Sequence, residues 1–301
     1  MTVVGVVGLG AMGGALASRL LDTGHEVNGT NRSADRAGPL IARGVHWHDT
    51  PREVAAAVEV VISMVTDDAA LEAITSGADG IVAGLAPATV YVDMSSVSPR
   101  ASKAVSERAR AAGARMLDAP VSGSVPQVEQ GTLAIMVGGD EAPFEGVKAL
   151  LEDLGQTVTR VGENGAGVLL KLAINISLAV QTLAFSEGLL LAERGGMDSR
   201  LAAAVMSSST IGSPMLKNRL PLLLDLPDDA WFTIHLMHKD IRLALDEAQR
   251  LAVPLPSAGA AERVLATAAE VGYAQRDIAG LHQVLAKISE WTTARSREAG
   301  S

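Results

Sequence analysis

Along the first half of the chain, short runs of β-branched and aliphatic residues recur at Val3–Val7, Val58–Met64, Thr89–Asp93, Arg115–Asp118 and Leu133–Val137. Between them lie Ala-, Leu- and Arg-rich stretches with apolar positions at helical spacing. A short apolar run bounded by turn residues fits a strand buried on both faces, whereas a three-to-four-residue repeat marks an amphipathic helix. Their alternation predicts a mostly parallel, doubly wound α/β sheet with helices on both sides. After about Val161 the strand-like runs stop. Val168–Ala192, Ser199–Ser207, Ile241–Leu251 and Ser257–Val271 carry helical spacing punctuated by Gly, Pro and Asp, so the second part is expected to be all α. The GENGAG segment at Gly162–Gly167 separates the two textures and places domains at residues 1–163 and 164–301.

Length and composition narrow the function. A chain of 301 residues suits two domains, and 48% hydrophobic with 20% charged residues describes an ordered core. With 25 Lys and Arg against 34 Asp and Glu, the net charge of -9 argues against nucleic acid as a partner. The absence of cysteine excludes disulfides, thiolate catalysis and Cys-based zinc sites, and suits a reducing cytoplasm. Met1 and Thr2 run straight into VVGVVG without a basic leader, so no targeting segment is expected. The most apolar stretch, Gly167–Ala192, is interrupted by Lys171, Asn175, Gln181 and Glu187, and is expected to be a buried helix rather than a membrane span.

Gly8-Leu9-Gly10-Ala11-Met12-Gly13 directly follows the first strand and opens a helix. In that setting the first glycine makes the tight turn, the second admits a pyrophosphate against the backbone, and the third packs helix on strand. The next strand, around Glu26–Gly29, ends at Asn31-Arg32-Ser33, where NAD-selective sites place an acid for the ribose. Here Arg32 and Ser33, with Arg36 nearby, can bind a 2′-phosphate, which favours NADP(H) while leaving NAD(H) possible. The alternative is an arginine that only stacks on adenine.

Lys171 sits in an aliphatic helix with Asn175 one turn later on the same face. A desolvated lysine can exchange protons near neutrality. The bland alternative is a lysine that snorkels to solvent or pairs with Glu187 or Asp240. No metal is expected. His46 and His48 lack a carboxylate-rich neighbourhood, and His235 and His238 share a helical face without a third ligand.

Taken together, the glycine loop, Asp118-Ala119-Pro120-Val121-Ser122-Gly123-Ser124, Gly165–Asn175 and Leu236-Met237-His238-Lys239-Asp240 resemble the β-hydroxyacid dehydrogenase family over nearly the whole chain. The resemblance implies a Rossmann domain followed by a helical domain that dimerises, and a nicotinamide-dependent enzyme acting on small carboxylate-bearing substrates. It implies Lys171 as general acid and base, Asn175 orienting substrate, and Ser122 and Gly123 holding its carboxylate. Lys239 would reach the nicotinamide side with Asp240 fixing local geometry. Ser96 would stand near the nicotinamide ribose, and Met64 and Val65 would line the cofactor site. Ser124 replaces a glycine usual in the family and is expected to add a hydroxyl at the substrate carboxylate. His238 and Arg242 are further departures, and Arg242 could meet a second substrate charge or simply face solvent.

Two rival readings remain. An imine reductase of the same superfamily would share the cofactor loop, although such enzymes generally replace the lysine. A non-catalytic NADP-binding module would have no need of Lys171, Asn175, Ser122 and Ser124 together.

Overall fold

The structure, a computed structural model, describes the backbone of residues 1–298 and the side chains as far as Ser289. Nine strands form one sheet: β1 (Val3–Val7), β2 (Glu26–Thr30), β3 (His46–Trp47), β4 (Val60–Ser63), β5 (Val90–Asp93), β6 (Arg115–Asp118), β7 (Val121–Ser122), β8 (Ala134–Gly138) and β9 (Thr157–Gly162). Their order is β3-β2-β1-β4-β5-β6-β8-β7, with β9 beside β8. The strands from β3 to β6 are mutually parallel. β8 runs antiparallel to β6 and β7, and β9 pairs parallel with β8.

Successive residues of a strand point to opposite faces, and the two cores show it. Val4, Val6, Val60, Ile62, Val92 and Leu117 pack into one hydrophobic cluster, while Val7, Val61, Tyr91 and Met116 pack into another. Both faces are therefore covered, which is why the strands read as continuous apolar runs. β3 and β7 have two residues each, too short to leave an alternation in the sequence.

The chain divides into two compact units, Met1–Leu172 and the remainder from Ala173. The division falls inside the long helix Ala166–Arg194, whose first turns belong to the sheet unit. The second unit adds helices Ser199–Ser208, Pro214–Leu224, Ile234–Leu251, Pro256–Glu270 and Leu281–Glu298. Asp198, Ser213 and Thr233 accept hydrogen bonds from backbone N–H groups of the first turns that follow them, caps that each contribute about 1 kcal/mol. The helix Pro214–Leu224 left no clear signal because Pro221 lies inside it. Ala258, Ala261 and Ala268 pack with Met237 and Ile241 in the core of this unit, small side chains that let helices approach closely.

By length and composition alone, Ala166–Arg194 could cross a membrane, and 39% of its most apolar window is buried. The expectation of a buried helix holds along one face. Leu170, Ala173, Ser177, Gln181, Ala184, Glu187 and Leu191 are exposed along the other.

Candidate active site

The glycine loop after β1 divides its tasks among three positions. Gly8 turns the chain at φ +95°, and a Cβ there would collide with the Met64 carbonyl oxygen. A Cβ on Gly13 would strike the Gly8 carbonyl oxygen, so only glycine lets this helix start against the strand. Gly10 has open space around it. The helix that follows, Ala11–Asp22, has no side-chain cap and no acid in its first turn. Its N-terminal N–H groups and positive dipole end thus remain available to an anion, and the loop fits a dinucleotide pyrophosphate.

Within the motif, Leu9 serves differently from its neighbours. Its side chain is buried in the core, and its N–H donates to Asn31 Oδ1 at 3.2 Å. Asn31 Nδ2 donates in turn to Ser33 O at 3.2 Å, tying the end of β2 to the glycine loop. Met12 is half-buried against the same core. Arg32, Ser33 and Arg36 are exposed, and a groove of about 660 Å³ runs along Gly10, Ala11, Ser18, Arg36 and Arg43.

β1 and β4 are neighbours whose connections leave on opposite sides, the switch point at which doubly wound sheets bind ligands. Met64 and Val65, both half-buried, follow β4 there. The Val65 N–H donates to Ser95 Oγ at 2.9 Å, and Ser96, half-buried, comes next in the chain. Beneath them Asp93 Oδ1 accepts from Ser63 Oγ and Ser95 Oγ, both at 2.7 Å. Burial pushes Asp93 up to about 6, opposed by these two hydroxyls and aided by the charge of Asp118.

Asp118 ends β6, and its two oxygens accept from Gly165 N at 2.7 Å and Val168 N at 2.9 Å. These are orphan donors at the start of Ala166–Arg194. Burial raises the Asp118 carboxyl above the usual range, opposed by the same two N–H groups. A Cβ on Gly167 would lie 2.7 Å from Asp118 O, so this helix starts directly on the strand end. Lys171, half-buried, follows Val168 on the next turn. Ser122 closes β7 and is half-buried, and Gly123 follows at φ +135°. Ser124 begins the short helix Val125–Gln130. It is buried, its hydroxyl and its N–H both donate to Gln127 Oε1 at 2.8 Å, and it closes a capping box on Val125–Gln130.

In the helical unit Asn175 Nδ2 donates to Asp240 Oδ2 at 2.5 Å, and Lys239 Nζ lies 2.7 Å from Asp240 Oδ1. Asn175 Oδ1 is buried without a hydrogen-bond partner, a polar atom suited to a ligand. His238 pairs with Glu262 at 2.8 Å, His48 with Asn28, and Arg242 is exposed. Among the described residues no group of three His, Asp or Glu could hold a metal ion.

Residues 3–162 match the family described as the NAD-binding domain of 6-phosphogluconate dehydrogenase, and residues 165–285 match the NAD-binding family of NADP-dependent 3-hydroxyisobutyrate dehydrogenase. The 2-hydroxy-3-oxopropionate reductase of Escherichia coli K12 is 36% identical over 94% of this chain and 96% of its own. The chain belongs to the β-hydroxyacid dehydrogenase family. As a β-hydroxyacid dehydrogenase it is an oxidoreductase that interconverts hydroxyl and carbonyl groups with a nicotinamide dinucleotide. Arabidopsis thaliana glyoxylate/succinic semialdehyde reductase 2 is 30% identical over 98% of this chain and 81% of its own. The solved Mycobacterium tuberculosis 3-hydroxyisobutyrate dehydrogenase with L-serine superposes with a TM-score of 0.84 at 29% identity, covering 95% of this chain and 99% of that one. An imine reductase from Pseudomonas sp., 23% identical with a TM-score of 0.63 and covering 94% of this chain and 99% of that one, shares the fold.

Sequence reasoning missed Asp93, which closes the run Thr89–Asp93, Ser95 two residues later, and the fastening role of Asp118 at the head of its motif. The signal that marks Ser124 as a cap was present as Ser124-Val-Pro-Gln127, a capping-box spacing.

Proposed function

We propose that this β-hydroxyacid dehydrogenase is an NADP-preferring 3-hydroxyacid dehydrogenase that works as a semialdehyde reductase on small aldehydes bearing a carboxylate. The observation that carries this reading is at the end of β6, where Asp118 receives the first turn of the Lys171 helix and the same strand leads on to Ser122. A proton-exchanging group and a carboxylate-binding loop thus share one anchor.

The loop Gly8–Gly13 would hold the dinucleotide pyrophosphate, with Arg32 and Ser33 at its 2′-phosphate and Met64, Val65, Ser96 and Lys239 toward its nicotinamide. Arg32 and Ser33 stand where an acid would select NAD, which supports the NADP preference. When bound, the cofactor supplies the hydride. Ser122 Oγ and the backbone N–H groups around Gly123 hold the substrate carboxylate, and Asn175 orients the carbonyl. As negative charge grows on the carbonyl oxygen, Lys171 Nζ donates a proton to it; in the oxidative direction Lys171 takes that proton back. Lys171 weighs against imine reduction, because in that superfamily branch another residue generally stands in its place.

The working form is a homodimer joined through the helical unit. Leu191, Met197, Leu201 and Val205 are 60–76% exposed on that unit, a large apolar area for a monomer to leave in water. Sedimentation at micromolar concentration should give twice the chain mass, and a Leu201→Glu, Val205→Glu double variant should run as a monomer.

Initial rates of NADPH and NADH oxidation test the activity, with succinic semialdehyde, tartronate semialdehyde, glyoxylate, methylmalonate semialdehyde and a cyclic imine as substrates. Turnover of an aldehyde acid with NADPH preferred, falling about 10³-fold in Lys171→Ala while NADPH still binds, is expected. Reduction of the imine alone, or full activity in Lys171→Ala, overturns the reading.

A further inference from the structure

Asp93 and Asp118 are register partners on neighbouring parallel strands, each the last residue of its strand and each fully buried. Both carboxylates are held by neutral donors, Ser63 on β4 and the nearby Ser95 for Asp93, and Gly165 and Val168 for Asp118. Asp93 reaches β4 through Ser63 Oγ, which also bonds to Tyr91 Oη at 2.7 Å, and it reaches the loop after β4 through Ser95, whose Oγ accepts the Val65 N–H. Asp118 reaches across the chain to Gly165 and Val168. Burying a carboxylate among neutral groups costs free energy, and burial lifts both of these acids above their usual range. Hydrophobic residues would fill such positions more favourably unless the bonds themselves were needed.

We propose that Asp93 and Asp118 are a pair of positioning residues, Asp93 fastening the loops that carry Val65 and Ser96, and Asp118 fastening the helix turn that leads to Lys171. The inference rests on the functional reading above, since it assigns cofactor loops to one carboxylate and the general acid to the other. Each oxygen of Asp118 takes one N–H of the helix start, so an amide at this position sets an NH2 donor against one of those donors and releases it. Ser95 links Asp93 to the Val65 N–H, so removing its hydroxyl frees the loop without touching the carboxylate. Among the charged and titratable groups near the pair, Asp118 acts on Asp93 and Asp93 on Tyr91, on which Arg108 of the helix Pro99–Ala111 also acts, and the Lys103 side chain of that helix lies against Gly165.

The test compares full-length wild type, Asp118→Asn and Ser95→Ala. The readouts are NADPH affinity by fluorescence titration, kcat at saturating NADPH with the best aldehyde acid, and amide hydrogen exchange. Asp118→Asn should lower kcat about 30- to 100-fold with NADPH affinity unchanged within twofold, and should speed exchange in 165–172. Ser95→Ala should weaken NADPH about tenfold with kcat within threefold, and should speed exchange in 64–66. Asparagine keeps the volume and one acceptor of Asp118, and Ser95→Ala is an independent variant if that substitution impairs folding. A purely structural role would lower the melting temperature and leave kcat per folded molecule and NADPH affinity at wild-type values, which overturns the inference. So does a result in which both variants move the same parameter. Wild-type protein that turns over no aldehyde acid with NADPH overturns the functional reading first, and the positioning roles with it.

Discussion

The two units bury their acids in different company. In the sheet unit, Asp93 and Asp118 face hydroxyls and backbone N–H groups. In the helical unit, Asp240 faces Lys239, and Asp277 faces the buried Arg219 while also accepting from Trp231 N and Phe232 N at 3.0 Å. A cation beside a buried carboxylate neutralises it, so such a pair holds structure but makes either partner costly to remove. Neutral donors leave the charge uncompensated and the proton affinity raised, a weaker way to hold a fold and a more sensitive way to hold a site. Both units thus use buried acids as fasteners, and they differ in the donors that hold them: Asp277 is held by a buried cation, Asp93 and Asp118 by neutral groups.

The largest effect should come from breaking a cation-held acid. Arg219→Ala leaves Asp277 buried without its cation and should cost about 3–5 kcal/mol in urea unfolding. A loss below about 1 kcal/mol would remove the distinction between the two units. A somewhat smaller effect separates the neutral-held acids by pH. Folding lifts Asp93 from the ordinary 3.8 to about 6, so the folded chain binds this proton more tightly than the unfolded one. Its stabilising contribution is complete below about pH 4 and is lost as the pH rises through 6. Between about pH 4 and pH 7.5, wild type should therefore lose about 3 kcal/mol relative to Asp93→Asn, since each tenfold gain in proton affinity on folding is worth roughly 1.4 kcal/mol. A flat difference would mean that Asp93 keeps one protonation state throughout. The smallest effect is a control on charge itself: Arg200 and Asp225 pair on the surface at 3.0 Å, and Arg200→Ala should change stability by no more than about 0.5 kcal/mol.

Much of the fold was legible because its signals are local. β1 and β6 end where the apolar runs end, and the helices Ser199–Ser208 and Pro256–Glu270 lie within a residue of their expected bounds. The glycine loop was legible for the same reason, since Gly8, Gly10 and Gly13 act on a turn and a helix start only a few residues apart. What escaped was short or self-contradictory. β3 and β7 are too brief for a period to show, and Pro221 disguised the helix Pro214–Leu224. At the site, the motif around Ser124 points to substrate, while the spacing to Gln127 also makes it a local cap.

The sequence by itself determined the alternation of the longer strands and helices and the phosphate loop, because each depends on dihedral preference, side-chain period or the size of a residue within one short segment, and its motifs carried the family resemblance. Only the tertiary structure decided which acids are buried and what they hold. Asp118 meets Gly165 and Val168 across 47 and 50 residues, Ser63 meets Asp93 across 30, and Arg219 meets Asp277 across 58. Nothing in the local pattern around an aspartate distinguishes a solvated turn from a buried fastener. That difference is created when strands pair in register and exclude water, and the carboxylate must then take whatever donors the neighbouring segments bring to it.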